Sequence, residues 1–304
     1  MMISYGPGFK RASPMSLPIS VIVVTLNESD NLRRTIENLQ MRMPPGGEVV
    51  VVDDGSTDGS TDFLRSEQAG VRLVRSDQAN LSKARNFGAR QAQGDILVFG
   101  DAHIETSPEW WQPIVDLLSN PEIGAVGPAV SVMGEPDSVG YGQVLAGPDL
   151  GIEWLDYQQA APHPVCMAGG CFLAMRSQTF REVGGFDEGM IRWGSEDVEM
   201  CIRLWLSGHQ VWVAPEVDVA HLFRDEFPYE VDWTHVVHNK LRTAFVHFHS
   251  SRIARVVEAL REHAGFSPAL AQLVESDFAS RRAQLAGVRK RDDEWLFERF
   301  GMEW

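Results

Sequence analysis

Of 304 residues only three are cysteines, Cys166, Cys171 and Cys201. That is too few for a disulfide framework, and a reducing, cytoplasmic setting is expected. No apolar run is long enough to cross a bilayer. Residues 1–17 carry Gly, Pro, Ser and two basic side chains without the apolar centre of a secretion signal, and read as a flexible leader. Positive charge is short as well: 27 Lys and Arg stand against 42 Asp and Glu, a net charge of −15. This argues against nucleic acid or an anionic membrane as main partner, although a bound metal reverses the sign locally and admits an anionic nucleotide. Two glycine signatures are also missing. The first strand runs into Thr25-Leu26-Asn27-Glu28 rather than G-x-G-x-x-G, and no G-x-x-x-x-G-K-[ST] occurs anywhere. A dinucleotide dehydrogenase and a P-loop hydrolase are thereby set aside.

What is present is an alternation of buried strands and helices. Ile19 to Leu26 is a β-branched apolar run, and Leu32, Ile36 and Leu39 recur at helical spacing after the turn and cap residues Asn27 to Asp30. Pro44-Pro45-Gly46-Gly47 breaks that helix, and Glu48 to Val52 gives a second strand ending at Asp53-Asp54-Gly55-Ser56. A helix, a strand over Val71 to Val74, a helix over Leu81 to Gln91 and a strand over Ile96 to Phe99 follow. The pattern predicts βαβ units with a mainly parallel sheet, whose carboxyl edge is where ligands bind. Further on, Ala168 to Met175 reads as a strand whose glycines let a ligand approach the backbone. A helix over Phe180 to Gly185, a helix over Val198 to Ser207, separate strands at Val211 to Val213 and Val217 to Phe223, and amphipathic helices from Trp233 onward complete the reading.

The chemistry gathers in a few stretches. Asp101-Ala102-His103 closes an apolar run, and residues i and i+2 of an extended segment point to one face, where a carboxylate and an imidazole suit a divalent metal. Lys83 and Arg85 lie on the helix before it, able to meet a diphosphate or a base. Trp193-Gly194-Ser195-Glu196-Asp197 places two adjacent carboxylates at the start of a helix, and His221-Leu222-Phe223-Arg224 offers another imidazole and a guanidinium. Each motif alone has an ordinary structural explanation: a polar turn, a helix cap, a packed histidine.

Taken together and in this order, these pieces resemble the GT-A glycosyltransferases of the family 2 type, and most of all the catalytic domain of the polypeptide N-acetylgalactosaminyltransferases, over roughly residues 18 to 245. The resemblance implies an α/β GT-A fold, with a nucleotide-binding half to about residue 105, an acceptor half over 106–230 and a helical extension over 231–304. It implies that Thr25, Asn27, Glu28 and Asp54 serve the nucleotide and that Arg85 lies near the donor. Asp101, His103 and His221 would bind Mn2+ or Mg2+, Trp193 and Glu196 would face the sugar and leaving group, and Arg224 and Tyr229 would belong to a loop that closes over UDP. The donor is expected to be a UDP-sugar, the acceptor a peptide, a saccharide or a lipid-linked sugar, and the type bacterial.

Three departures stand out. Asp197 follows Glu196 where those transferases have Asn, giving the Glu-Asp pair of inverting family 2 enzymes, whose Asp is the general base. Phe227 stands where they often have a loop His. No counterpart of their lectin domain or membrane anchor is expected, so their acceptor and Golgi setting are not carried over. The expectation is an inverting, metal-dependent transfer with Asp197 as base. A retaining enzyme like the polypeptide transferases is the alternative, followed by a nucleotidyltransferase or a silent UDP-sugar-binding module. The C-terminal helices, with Trp233, Trp295 and Trp304, are open to acceptor binding, to oligomer formation or to plain packing.

Overall fold

The computed structural model describes residues 18–66, 69–224 and 227–304. The leader expected over residues 1–17 lies outside them. In chain order the first half holds β1 (Ile19–Thr25), α1 (Asp30–Arg42), β2 (Glu48–Asp53), β3 (Val71–Arg75), α2 (Leu81–Gln91), β4 (Ile96–Asp101), β5 (Ile104–Thr106), α3 (Trp111–Leu118) and β6 (Ile123–Val132). The middle adds β7 (Glu135–Gly140), β8 (Gln143–Leu145), β9 (Ile152–Trp154), β10 (His163–Pro164), β11 (Phe172–Arg176), α4 (Ser177–Glu182), α5 (Glu196–Leu206) and β12 (Gln210–His221). Five helices follow: α6 (Trp233–His247), α7 (Ser250–Leu260), α8 (Phe266–Glu275), α9 (Phe278–Ala286) and α10 (Asp293–Phe300).

The main sheet runs β10-β12-β6-β11-β4-β1-β2-β3, with β5 added to β12 and β7 to β6. Strands β3, β2, β1 and β4 are parallel, as the alternation predicts. Strand β11 is antiparallel to both β4 and β6, and β6 and β12 are again parallel. Side chains of the inner strands alternate between two cores. Val21, Val23, Val49 and Val51 meet Leu32, Ile36 and Ile114 on one face. Ile22, Val50 and Val52 join Ala84, Met200, Trp205, Leu241 and Leu296 on the other. The helices after residue 231 thus share a core with the sheet: Trp295 packs on Trp205 at 5.9 Å and Trp304 on Phe297 at 4.8 Å.

Several local expectations change. Ser29 has a left-handed φ of 48° and caps nothing; its backbone N–H donates to Asp58 Oδ2 at 2.9 Å. In place of a helix before β3 there is a single 3₁₀ turn, Asp62–Leu64. The glycine-rich stretch before β11 is a turn, and the strand begins only at Phe172. The short helix expected over 180–185 ends earlier, at Glu182. The two strands expected around residues 211 and 219 are one, β12, with an irregular register between Ala214 and Asp218. Asp101 and His103 do not lie on one extended segment, because β4 ends at Asp101 and the chain bends at Ala102 and His103.

Candidate active site

The register sets the tips of three strands side by side. Thr25 pairs with Asp53 across β1 and β2, and Val24 with Asp101 across β1 and β4. His221, the last residue of β12, pairs with Ile104 of β5, directly after His103. The bend at Ala102 and this pairing bring the trio together. One ligand atom each from Asp101, His103 and His221 lies within 4.8 Å of the others. His221 Nε2 is 3.3 Å from Asp101 Oδ2, and the two imidazoles sit 4.9 Å apart. Burial works against the Asp101 charge, yet His221, Arg85 and His103 hold its carboxyl far below the usual range. One carboxylate oxygen and two imidazoles fit a divalent cation such as Mn2+ and leave coordination positions open. His221 Nδ1 and the buried Thr25 hydroxyl have no hydrogen-bond partner among the described residues.

Around the trio runs a network of charge. Arg85, 2% exposed on α2, reaches Asp101 Oδ1 at 3.2 Å, Glu196 Oε1 at 3.1 Å and the Gly170 carbonyl at 2.9 Å. It is buried scaffolding between the two acids. Glu28 Oε1 lies 3.3 Å from His103 Nδ1, and both Glu28 oxygens accept from Arg224. Burial opposes that charge too, but His103 and Arg224 bring the Glu28 carboxyl down. Tyr229 stands close by; burial and the charges of Asp101, Glu28 and Glu196 push its phenol up to about 12.

The two neighbouring acids at the start of α5 differ sharply. Glu196 is buried, accepting from Arg85 and from the Gly194 N–H at 3.0 Å. Burial and Asp197 push its carboxyl up to about 7 against the pull of Arg85. Asp197 is half-buried; its Oδ2 accepts the Gly170 N–H and its Oδ1 the Val198 N–H, both at 2.9 Å. A side chain at Gly170 would sit 2.8 Å from the Asp197 carboxylate, and one at Gly169 would meet the Trp154 ring at 2.8 Å. These glycines make room for Asp197 and Trp154, not for a ligand as their sequence context predicts. The Trp193 ring meets Phe227 at 5.1 Å, tilted by 59°.

The residues assigned to the nucleotide are spread along the strand tips. Asp54 is buried and accepts the backbone N–H groups of Ala79 and Asn80 at 3.1 and 2.9 Å, which ties it to the start of α2. Asn27, left-handed at φ 57°, turns its oxygen to the Thr57 N–H at 2.8 Å. Both side chains therefore shape the rim of the cleft. Lys83 faces an open cleft of about 380 Å³ bordered by Asn80, Met190 and Arg192. Sequence reasoning missed Asn80, which caps α2 by accepting from Lys83 N–H and also donates to the Met190 carbonyl at 2.6 Å. Its only advance sign was its place before a helix.

The family model for glycosyl transferase family 2 matches residues 20–184. The chain belongs to that family. A second family model, described as the N-terminal domain of galactosyltransferase, matches residues 161–224 and so takes in Trp193 to Arg224. This family 2 chain is similar to polypeptide N-acetylgalactosaminyltransferase 11 of Xenopus tropicalis, 31% identical over 271 residues that cover 78% of the chain and 44% of the relative. It is also similar to polypeptide N-acetylgalactosaminyltransferase 8 of Drosophila melanogaster, at 32% identity with 68% and 38% covered. The chain thus spans less than half the length of these relatives. They are animal proteins, so the expectations of a bacterial type and a cytoplasmic setting find no support in them. Among the described residues no helix is long and apolar enough to cross a membrane.

Among solved structures, GalNAc-T7 with UDP, GalNAc and Mn2+ superposes with a TM-score of 0.76 at 20% identity, covering 94% of this chain and 57% of that one. The mannosyltransferase PcManGT from Pyrobaculum calidifontis, in complex with GDP-Man and Mn2+, gives 0.55 at 20% identity, with 89% and 73% covered. Likeness at that identity speaks for the fold, and the fold is GT-A.

Proposed function

We propose that this chain transfers a sugar from a UDP-sugar to a nucleophilic group of a peptide, saccharide or lipid-linked acceptor, with a metal held by Asp101, His103 and His221. The observation that carries the reading is the convergence of those three ligand atoms within 4.8 Å at the carboxyl edge of the sheet. When bound, Mn2+ or Mg2+ would supply Lewis-acid neutralisation of the departing diphosphate. The chain's own groups do the rest. Arg85 keeps the Asp101 carboxylate charged and aimed. Thr25, with its unpartnered hydroxyl, takes a hydrogen bond from or to the nucleotide. Arg224 reaches the diphosphate only after leaving Glu28, so loop closure includes the breaking of that ion pair. Asp225 and Glu226 of the same loop lie outside the described residues.

Asp197 is the better base of the two acids, because Glu196 is buried and bonded to the Arg85 guanidinium while Asp197 is half-open and accepts only from backbone N–H groups. That favours inversion. A retaining reaction, which the resemblance to the polypeptide transferases implies, is the second reading. The test is a UDP-release screen of UDP-sugars with Mn2+, run without acceptor and with peptide, saccharide and lipid acceptors. Chelation or His221→Ala is expected to lower release at least about 100-fold and to weaken UDP binding; full activity in metal-free protein overturns the reading. Proton NMR of the anomeric coupling separates the two outcomes. A β-linked product from an α-linked donor supports Asp197 as base, and an α-linked product removes it.

A further inference from the structure

Between α4 and α5 the chain makes a contorted approach to the site. Arg192, Gly194 and Ser195 have φ of 54°, 101° and 67°. Left-handed backbone at non-glycine residues persists where its surroundings fix it. The Leu81 N–H holds the Arg192 carbonyl at 2.8 Å and Asn80 the Met190 carbonyl, and the rest of the loop is gathered by one side chain from the C-terminal helices. Asn239, on α6 and 1% exposed, accepts the Ile191 N–H at 2.8 Å. Its amide nitrogen lies 2.9 Å from the Ile191 carbonyl, 3.3 Å from that of Trp193 and 2.9 Å from that of Gly194. His238 Nδ1 is a further neighbour, 3.0 Å from Asn239 Oδ1.

The loop so held passes its order on. The Gly194 N–H donates to Glu196, Glu196 accepts from Arg85, and Arg85 holds Asp101. We infer that Asn239 is a positioning residue of the site, setting the Trp193 ring and the Glu196 carboxylate from a helix beyond the residues that the two family models match. The inference rests on the transferase reading above. It is separable from the mere attachment of α6, because Arg242 already supplies that through paired bonds of 2.8 and 2.9 Å to Asp187. Removing the Asn239 amide leaves the helix docked and frees only the loop.

The experiment uses the full chain with Asn239→Asp, which keeps the shape and loses the donors, and Asn239→Ser as a second variant. Val256→Ala, at a buried position on α7, serves as a stability comparator. Hydrogen exchange is followed across residues 189–196, and donor hydrolysis gives kcat and KM for the UDP-sugar. Exchange in the loop is expected to rise about tenfold with α5 and α6 unchanged. In the same variants kcat falls about 100-fold, as misplacement by an ångström does, while KM for the donor moves less than about threefold. Val256→Ala lowers the melting temperature and keeps kcat. Unchanged loop exchange in both variants overturns the inference, and so does raised exchange with unchanged kcat. If the wild-type chain releases no UDP from any donor, the transferase reading fails. The exchange data then decide on their own whether Asn239 orders the loop.

Discussion

Glu196 and Asp197 are adjacent and chemically alike, yet their surroundings divide them into a buried partner of Arg85 and a half-open carboxylate on the Gly170 N–H. Burial first, and the Asp197 charge second, raise Glu196 from an ordinary 4.5 to about 7. A raised carboxyl binds its proton more tightly in the folded state than in the unfolded one. The stability it contributes is therefore lost as pH climbs from about 4.5 through about 7. Glu196→Gln stays neutral throughout. In metal-free protein its melting temperature should match that of the wild type near pH 5 and exceed it increasingly up to pH 8. Parallel melting curves across that range would remove the assignment. The same position also shows why the acids were legible in sequence while their roles were not. Two carboxylates after Trp-Gly-Ser announce a site, but the division of labour depends on Arg85, which is distant in sequence and becomes a neighbour only through the packing of α2 on the sheet beside β1 and β2.

At the level of elements, the continuous β-branched run of β1 predicts burial on both faces, and β1 and β2 have it, since each parity feeds a different core. Strand β12 was read as two because Pro215 interrupts the apolar alternation. The chain absorbs Pro215 within the irregular register between Ala214 and Asp218, where a missing N–H costs no ladder bond. The turn before β11 misled for a different reason. Glycine in a strand-like run signals that something comes close to the backbone, without saying whether that is a ligand or a side chain of the same molecule. Here it is Asp197. Gly170→Ala would place a methyl group 2.8 Å from that carboxylate. The expected result is a fall in kcat of about 10- to 100-fold with UDP and Mn2+ affinity retained, together with a loss of about 1–3 kcal/mol in stability. Wild-type turnover in this variant, measured by UDP release, would show that the Asp197 position is not critical.

For the whole molecule, the decisive feature is that the helices after residue 231 are part of the second core and not an appendage. Leu241, Phe248, Leu273 and Leu296 are buried together with Phe99, Met200 and Trp205. A buried ionic group adds to this: Glu199 of α5 meets Arg203 at 2.7 Å and His247 of α6 at 2.7 Å. Amphipathic periodicity announced these helices but could not say what their apolar faces cover, because that depends on Trp205 and the back of the sheet. Thermal unfolding should show one cooperative transition, and deletion of residues 231–304 should yield no folded fragment. A soluble, UDP-binding fragment ending near residue 230 would contradict this. Residues Gly194 and Asn239 are 45 positions apart, and Glu199 and His247 are 48 apart. A ribosome adds about 5–20 residues each second. Strands β1, β2 and β4 therefore leave the exit tunnel seconds before the helix that carries Asn239. Synthesis from one end thus imposes a delay, in which an unfinished chain already carries Trp193, Glu196 and Asp197 but lacks the side chain that holds their loop.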